Sequence, residues 1–378
     1  MEKIVNVKVD QFRIMFMFYE VDGISEGFHE KQSMDLIFRI SEKLNFEEYF
    51  GPVRSSNGYD GYNRVYAYGE PGSTYLLAGY SSKSRKNGVS FDFKAVGLEK
   101  YLAEAGAAKG KDYQFYDFIK DIKDAIIETK FYMFGQLKLG RYDLAVDFIN
   151  WNMSLDRIYK KIKSKEYEFY KRDRRAVPEK NNIYGYKKID LKLDDIRKRL
   201  SIYATTETET IYIGDRKKSN GSFLRIYNKY IESYSNGKLT DLTKNQTDWI
   251  RYEVELKPDR ANGIELVRSI GNIKNNKEYS IWIANSVLDF FRLRTNKGRD
   301  TDIARAIEEI TLGKRNANPV IERRVDKTIE ERKERFKSGN SGFQQLLSDI
   351  QKEQGTKGIV DFLKELYDYQ LEEFVSKK

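Results

Sequence analysis

Apolar positions along the chain recur with two periods, one suited to strands and one to helices. Residues 9–18 (VDQFRIMFMF) read as a buried strand. Met34, Ile37, Phe38, Ile40 and Leu44 then fall at helical spacing over 31–44. Three tyrosine-rich strands follow near 62–68, 74–80 and 88–94, separated by glycine-containing turns, and helical patterns cover 96–105 and 115–129. The order then repeats. Residues 136–149 read as a strand, 154–165 as a basic helix, 208–215, 222–229 and 248–257 as strands, and 260–270 as a helix. Both halves read strand, helix, three strands, helix, which points to a structural duplication in which two similar units build one sheet system. The parallels in sequence are loose: VDQF around Asp10 with RYDL around Asp143, and SFDFK around Asp92 with RYEVELK around Glu253.

The expected fold is therefore α+β, a central, mainly antiparallel sheet built from two similar halves and followed by a helical C-terminal module. The halves divide at 1–135 and 136–274, and the helical module takes 275–378. Within it, 277–293, 301–312, 321–337, 342–352 and 356–376 each show helical spacing, with hinges at Asn316 to Pro319 and Gly339 to Gly342. Helix 321–337 mixes seven basic with five acidic residues, the mark of a solvated face more than of a DNA reader. Residues 166–207 are the least regular stretch.

Composition narrows the chemistry. The 378 residues contain no cysteine, which excludes disulfides, thiolate zinc sites, iron–sulfur clusters and cysteine nucleophiles. His29 is the single histidine, so metal chemistry would fall to carboxylates and a hard cation. It sits beside Glu26 and Glu30 in what reads as a polar loop, and is expected to be solvated and without a role. Tyrosine (27) and phenylalanine (22) are too frequent for a disordered chain. No apolar run spans a bilayer and no export signal is apparent, so the expected location is the cytoplasm. A net charge of +10 favours an anionic partner, nucleic acid first. Lys161 to Lys180 carries eight basic residues against four acidic ones, interleaved with Tyr167, Phe169 and Tyr170. Lys171, Arg172, Arg174 and Arg175 are its candidate DNA contacts, and a solvated surface is the equal alternative.

Three strands carry the sharpest pattern. In 141–148, Tyr142, Leu144, Val146 and Phe148 alternate with Arg141, Asp143, Ala145 and Asp147. In 250–257, Ile250, Tyr252, Val254 and Leu256 alternate with Arg251, Glu253, Glu255 and Lys257. Each strand offers two carboxylates at i, i+2 or i, i+4 on its polar face. If the strands are neighbours, the acids converge, and a bound Mg²⁺ or Mn²⁺ is one way to relieve their repulsion. The alternative is that they pair with Arg141, Arg251 or Lys257 on a solvent-facing sheet. The third element is a hairpin with Asn220-Gly221 in its turn. On its second strand Phe223, Arg225, Tyr227 and Lys229 share a face. Flanking cations would lower the Tyr227 pKa and hold a phosphodiester beside it; the alternative is that Tyr227, one of 27 tyrosines, is a packing residue of the strand. A tyrosine nucleophile, cationic clamps and a carboxylate metal site are the parts DNA transesterification needs.

These blocks, GRYDLAVDF, YIGDRKKSNGSFLRIYNK and WIRYEVELK, resemble in order and spacing the replication initiation factor family of Gram-positive rolling-circle plasmids and conjugative elements. The resemblance is strong over about 136–258. It implies a site-specific DNA nickase-ligase in which Tyr227 forms a 5′-phosphotyrosine bond and frees a 3′-OH primer. It further implies that Arg216, Arg225 and Lys229 are the accompanying cations and that Asp143, with Glu253 or Glu255, binds divalent metal. Asp147 stays open as a ligand, and Asp92 is a weaker candidate. The extra lysine in Arg216-Lys217-Lys218-Ser219 lengthens the turn, and Lys217 and Lys218 join the candidate DNA contacts. The implied partners are origin DNA, partly single-stranded or hairpin, with a host helicase and polymerase, and a homodimer is expected. Two other readings stand beside this one: a non-catalytic regulator that binds DNA, and a tyrosine recombinase, against which the lone His29 argues.

Overall fold

The repeated strand and helix order becomes one ten-stranded antiparallel sheet. The computed structural model describes residues 2–19, 26–70, 72–172, 185–191, 196–203, 206–214, 222–235, 247–314 and 342–376. The first half runs β1 (Ile4–Phe18), α1 (Glu26–Lys43), α2 (Phe46–Phe50), β2 (Val53–Ser56), β3 (Arg64–Tyr68), β4 (Leu76–Tyr80), β5 (Val89–Phe93), α3 (Ala95–Lys109) and α4 (Phe115–Glu128). The second runs β6 (Gly135–Ile149), α5 (Leu155–Lys163), β7 (Tyr167–Arg172), β8 (Tyr186–Lys188), β9 (Ile196–Tyr203), β10 (Thr206–Ile213), β11 (Ser222–Asn228), α6 (Lys229–Ser235), β12 (Trp249–Leu256) and α7 (Arg260–Gly271). After them come α8 (Asn276–Phe290), β13 (Arg292–Thr295), α9 (Asp302–Ile310) and α10 (Gly342–Ser376).

Strand order in the large sheet is β2-β3-β4-β5-β1-β6-β12-β11-β10-β9. The order is symmetric about the β1/β6 pair: β1 and β6 lie back to back, and the later strands of each half fan outward in reverse sequence order. This is the arrangement a duplicated unit produces. Each half has four strands beyond its central one, not three. The outer strands β2 and β9 escape the sequence pattern because β2 has a single apolar residue in four and β9 falls in the stretch read as irregular. That stretch also supplies β7 and β8, which join β13 in a separate three-stranded sheet.

Helices cover the apolar face. Phe12 of β1 stacks on Phe93 of β5 at 4.7 Å and meets Phe115 of α4 edge-on at 4.8 Å. Tyr142 of β6 stacks on Trp282 of α8 at 6.1 Å. The helices begin where side-chain caps exist. Gln114 and Asp117 make a reciprocal capping box at α4, and Ser154, Asp259, Asn275 and Thr301 each accept a backbone N–H at the start of α5, α7, α8 and α9. Gly263 lets α7 lie against β6, since a Cβ there would stand 2.4 Å from the Leu139 carbonyl oxygen. We expect Gly263→Ala to cost about 1–3 kcal/mol through overpacking, although alanine favours a helix over glycine; the shift in urea midpoint measures it.

The chain divides into two units, Met1–Ile321 and Glu322–Lys378. The division lies well past the expected boundary at 275. The reason is that α8 is a core helix, with Tyr279, Ile283, Val287 and Leu288 buried, and helical spacing alone does not distinguish a core helix from one of a separate module. The expected helix 277–293 stops at Phe290 and the chain turns into β13. In the second unit, α10 is interrupted at Gly355 with φ 68°, which fits the two expected helices on either side. The expected helix 321–337 lies outside the described residues.

His29 is the plainest correction. It lies on α1, which starts five residues before the expected 31, and it is buried with Ser33, Leu36, Ile37 and Ile40. Its Nε2 is 3.3 Å from the Ser81 carbonyl oxygen and its ring packs edge-on against Phe18. Burial lowers its pKa.

Candidate active site

The three patterned strands are direct neighbours in the order β6, β12, β11. Register sets Asp143 opposite Glu255, Asp147 opposite Arg251, Arg225 opposite Glu253 and Tyr227 opposite Arg251. Period-2 alternation then puts all of these on one face. The face is buried: Asp143 is 0 %, Glu253 2 % and Tyr227 8 % exposed.

The Tyr227 hydroxyl donates to Glu253 Oε2 at 2.7 Å. Arg225 Nη2 donates to Glu253 Oε1 and reaches Asp143 Oδ2 at 3.3 Å. Arg141 grips Asp143 with two bonds, at 2.9 and 2.6 Å, and lies 3.2 Å from Glu255. Lys257 pairs with Glu255 at 3.0 Å. The alternative pairing of acids with Arg141, Arg251 and Lys257 is thus present, on a buried face and not a solvent-facing one. Asp147 stands apart from Asp143, held by Arg251 at 2.7 and 2.8 Å. Asp92 belongs to the first half, bonded to Arg13 at 2.7 Å and Gln11 at 3.2 Å.

Burial raises the Tyr227 pKa well above its ordinary value, and Glu253 raises it further against the opposing pull of Arg251. The expected lowering by flanking cations is therefore reversed. Arg225 spends its charge on the carboxylates, and β11 ends at Asn228, so Lys229 opens α6 and donates to Glu232 at 2.6 Å. Its ammonium is 6.0 Å from the Tyr227 ring centre.

Asp143 is pushed up to about 6, by burial first and by Glu253, against the favourable Arg141. Because the folded state holds this proton more tightly than the unfolded chain, the Asp143 carboxyl favours folding most below about pH 4. That contribution falls as pH rises through 6. Wild type should lose stability relative to Asp143→Asn between pH 4 and 7, by up to about 3 kcal/mol, as read from urea midpoints.

The residues also bear on the divalent ion that the family resemblance implies. All six carboxylate oxygens of Asp143, Glu253 and Glu255 face a guanidinium, an ammonium or the Tyr227 hydroxyl. Among the described residues no three acids or histidines converge to hold a metal. As arranged the set does not fit such an ion, which would have to take the place of the Arg225 and Arg141 guanidinium groups.

Of the candidate DNA contacts, Arg172 turns to Asp289 at 3.2 Å, and Lys171 lies on β7 opposite Lys187. Arg174, Arg175, Arg216, Lys217 and Lys218 lie outside the described residues. One acid at the site was not foreseen there: Asp10 of β1 accepts from Arg251 Nη1 at 2.6 Å. Its only sequence signal was the parallel between VDQF and RYDL.

Residues 137–363 match the replication initiation factor family, and the chain belongs to that family. Among solved structures it is similar to a rolling circle replication initiator protein from Geobacillus stearothermophilus, at 16% sequence identity and a TM-score of 0.46, over 83% of this chain and 99% of that one. No curated protein matches the chain. No helix among the described residues is long and apolar enough to cross a membrane.

Proposed function

We propose that this initiator-family chain is a site- and strand-specific DNA nickase-ligase with Tyr227 as its nucleophile. The observation that carries the reading is the Tyr227 hydroxyl bonded to Glu253 within a cluster that also holds Arg225 and Asp143. Tyr227 Oη attacks the scissile phosphorus and the Oη–P bond forms. Its proton passes along the existing hydrogen bond to Glu253 Oε2. The P–O3′ bond breaks and the 3′ oxygen takes a proton from solvent, leaving a 5′-phosphotyrosine and a 3′-OH primer. Attack by a 3′-OH on the phosphotyrosine reverses these changes and joins the strand. Arg225 is the near cation for the charge on the phosphoryl oxygens.

Mg²⁺ or Mn²⁺ belongs to this reading through the family resemblance, and no step is assigned to it. A homodimer acting at a partly single-stranded or hairpin origin, with host helicase and polymerase, completes it. The test incubates the protein with Mg²⁺ or Mn²⁺ and single-stranded oligonucleotides from its own replicon, labelled at the 3′ end. Label shifted to protein mass on a denaturing gel supports the nickase. Tight binding across the whole panel with no adduct points to a DNA-binding regulator.

A further inference from the structure

The buried arginine of the site is held from both halves of the molecule. Arg251 is 0 % exposed and directly opposite Tyr227 in the β11/β12 ladder. Two carboxylates fix its guanidinium: Asp147 of β6 takes Nε and Nη2, and Asp10 of β1 takes Nη1. Every guanidinium nitrogen is therefore committed, and its plane cannot turn without breaking a charge-assisted bond. Trp249 closes one side, with its ring centre 5.9 Å from the guanidinium carbon.

Asp10 arrives there through a break in the β1 ladder. Val9 pairs with Leu144 and Gln11 with Asp143, so Asp10 is left without a partner in the β1/β6 register. Such a bulge re-aims a side chain. Here it turns a carboxylate of the first half into the polar face of the second. Lys8 lies 3.7 Å from Asp10, and the charges of Lys229 and Arg225 also favour its carboxylate.

We propose that Asp10 is a positioning residue for Tyr227: by fixing Arg251 it holds the tyrosine in the orientation that attack requires, so that the first half of the molecule sets the reactivity of a nucleophile in the second. Arg251 is too buried to meet DNA, and Asp10 reaches Tyr227 through the guanidinium it fixes and through its own negative charge, which opposes ionisation of the phenol. The proposal rests on Tyr227 being the nucleophile. It does not rest on any bound ion.

The test compares wild type with Asp10→Asn, which keeps the shape and one hydrogen-bonding oxygen but removes the charge. Three quantities are read in the full chain: the rate of covalent adduct formation at saturating oligonucleotide, the Kd for the same oligonucleotide, and the ¹⁹F resonance of 3-fluorotyrosine incorporated at position 227 without DNA. The expected result is a rate lowered about 10- to 100-fold, the scale of a misplaced reacting group. Kd should stay within about twofold, because Asp10 is not a DNA contact on this reading, and the ¹⁹F line should shift or broaden. Asp10→Glu should recover part of the rate. An unchanged rate and ¹⁹F line overturn the proposal, as does a parallel loss of rate, Kd and thermal stability, which marks a structural residue. If wild type itself forms no adduct, the nickase reading fails, and the ¹⁹F line still reports whether Asp10 orients residue 227. If Asp10→Asn does not fold, the ¹⁹F comparison is made in Asp10→Ser, which also removes the charge, and an unmoved line there overturns the proposal.

Discussion

Tyr227→Phe is expected to abolish covalent attachment to a cognate single-stranded oligonucleotide, with adduct below about one part in a thousand of wild type. The change removes one oxygen. Without it there is no nucleophile at this position, and no neighbouring hydroxyl on β11 can replace it. The ring remains, so packing is kept. Glu253 loses one donor but keeps Arg225, so the expected loss of stability is about 1 kcal/mol. DNA binding should persist. Gel shift and adduct assays on the same preparation separate the two: retained binding with no adduct identifies Tyr227 as the nucleophile, and retained adduct would remove it from that role.

Arg251→Met should have the largest effect on stability. The variant leaves Asp147 and Asp10 facing each other's charge in a buried site with their shared cation gone. Breaking a buried pair from one side costs about 3–5 kcal/mol. Burial disfavours the Asp10 carboxylate, and Arg251 above all reverses that, so its folded pKa lies well below the ordinary range. The stability drawn from it is present above about pH 4 and lost as pH falls through the folded value. In Arg251→Met that support disappears, and the loss should be largest at neutral pH and shrink on acidification. Urea unfolding at pH 7 and pH 4 measures both. Replacing the whole triad, with Asp10→Leu, Asp147→Leu and Arg251→Met together, should recover much of the loss, because no charge is then left stranded.

Much of this site was legible in the sequence, for a definite reason. In β6 and β12 the alternation is strict, so counting in twos along each strand is enough to assign Asp143, Glu253 and Glu255 to one face. The blocks carrying them lie far apart in the chain, and only the family resemblance set them side by side. Asp10 was not legible. Counting back in twos from the buried Phe12 puts Asp10 on the apolar face. The bulge shifts the count by one, which exchanges the faces and brings Val9 into the core. The state of Tyr227 was misread because sequence shows which cations flank a residue but not which acids they are already bound to. Arg225 looked like a partner for the phenol and is a partner for Glu253 and Asp143. Strands β2, β9 and β13 were missed because short edge strands and polar strands carry little apolar signal.

The long pairing of β1 with β6 has a consequence for anyone wishing to cut the protein down. The family match begins at 137, which invites expression of the second half alone. Such a fragment would open inside β6, leaving the strand from Leu137 to Ile149 stripped of the neighbour that satisfies its backbone in the whole protein. A bare edge of that length seeks another strand, and the nearest supply is a second copy of the fragment. Self-association of that truncated material would then be a product of the cut and would say nothing about whether the whole initiator works as a dimer.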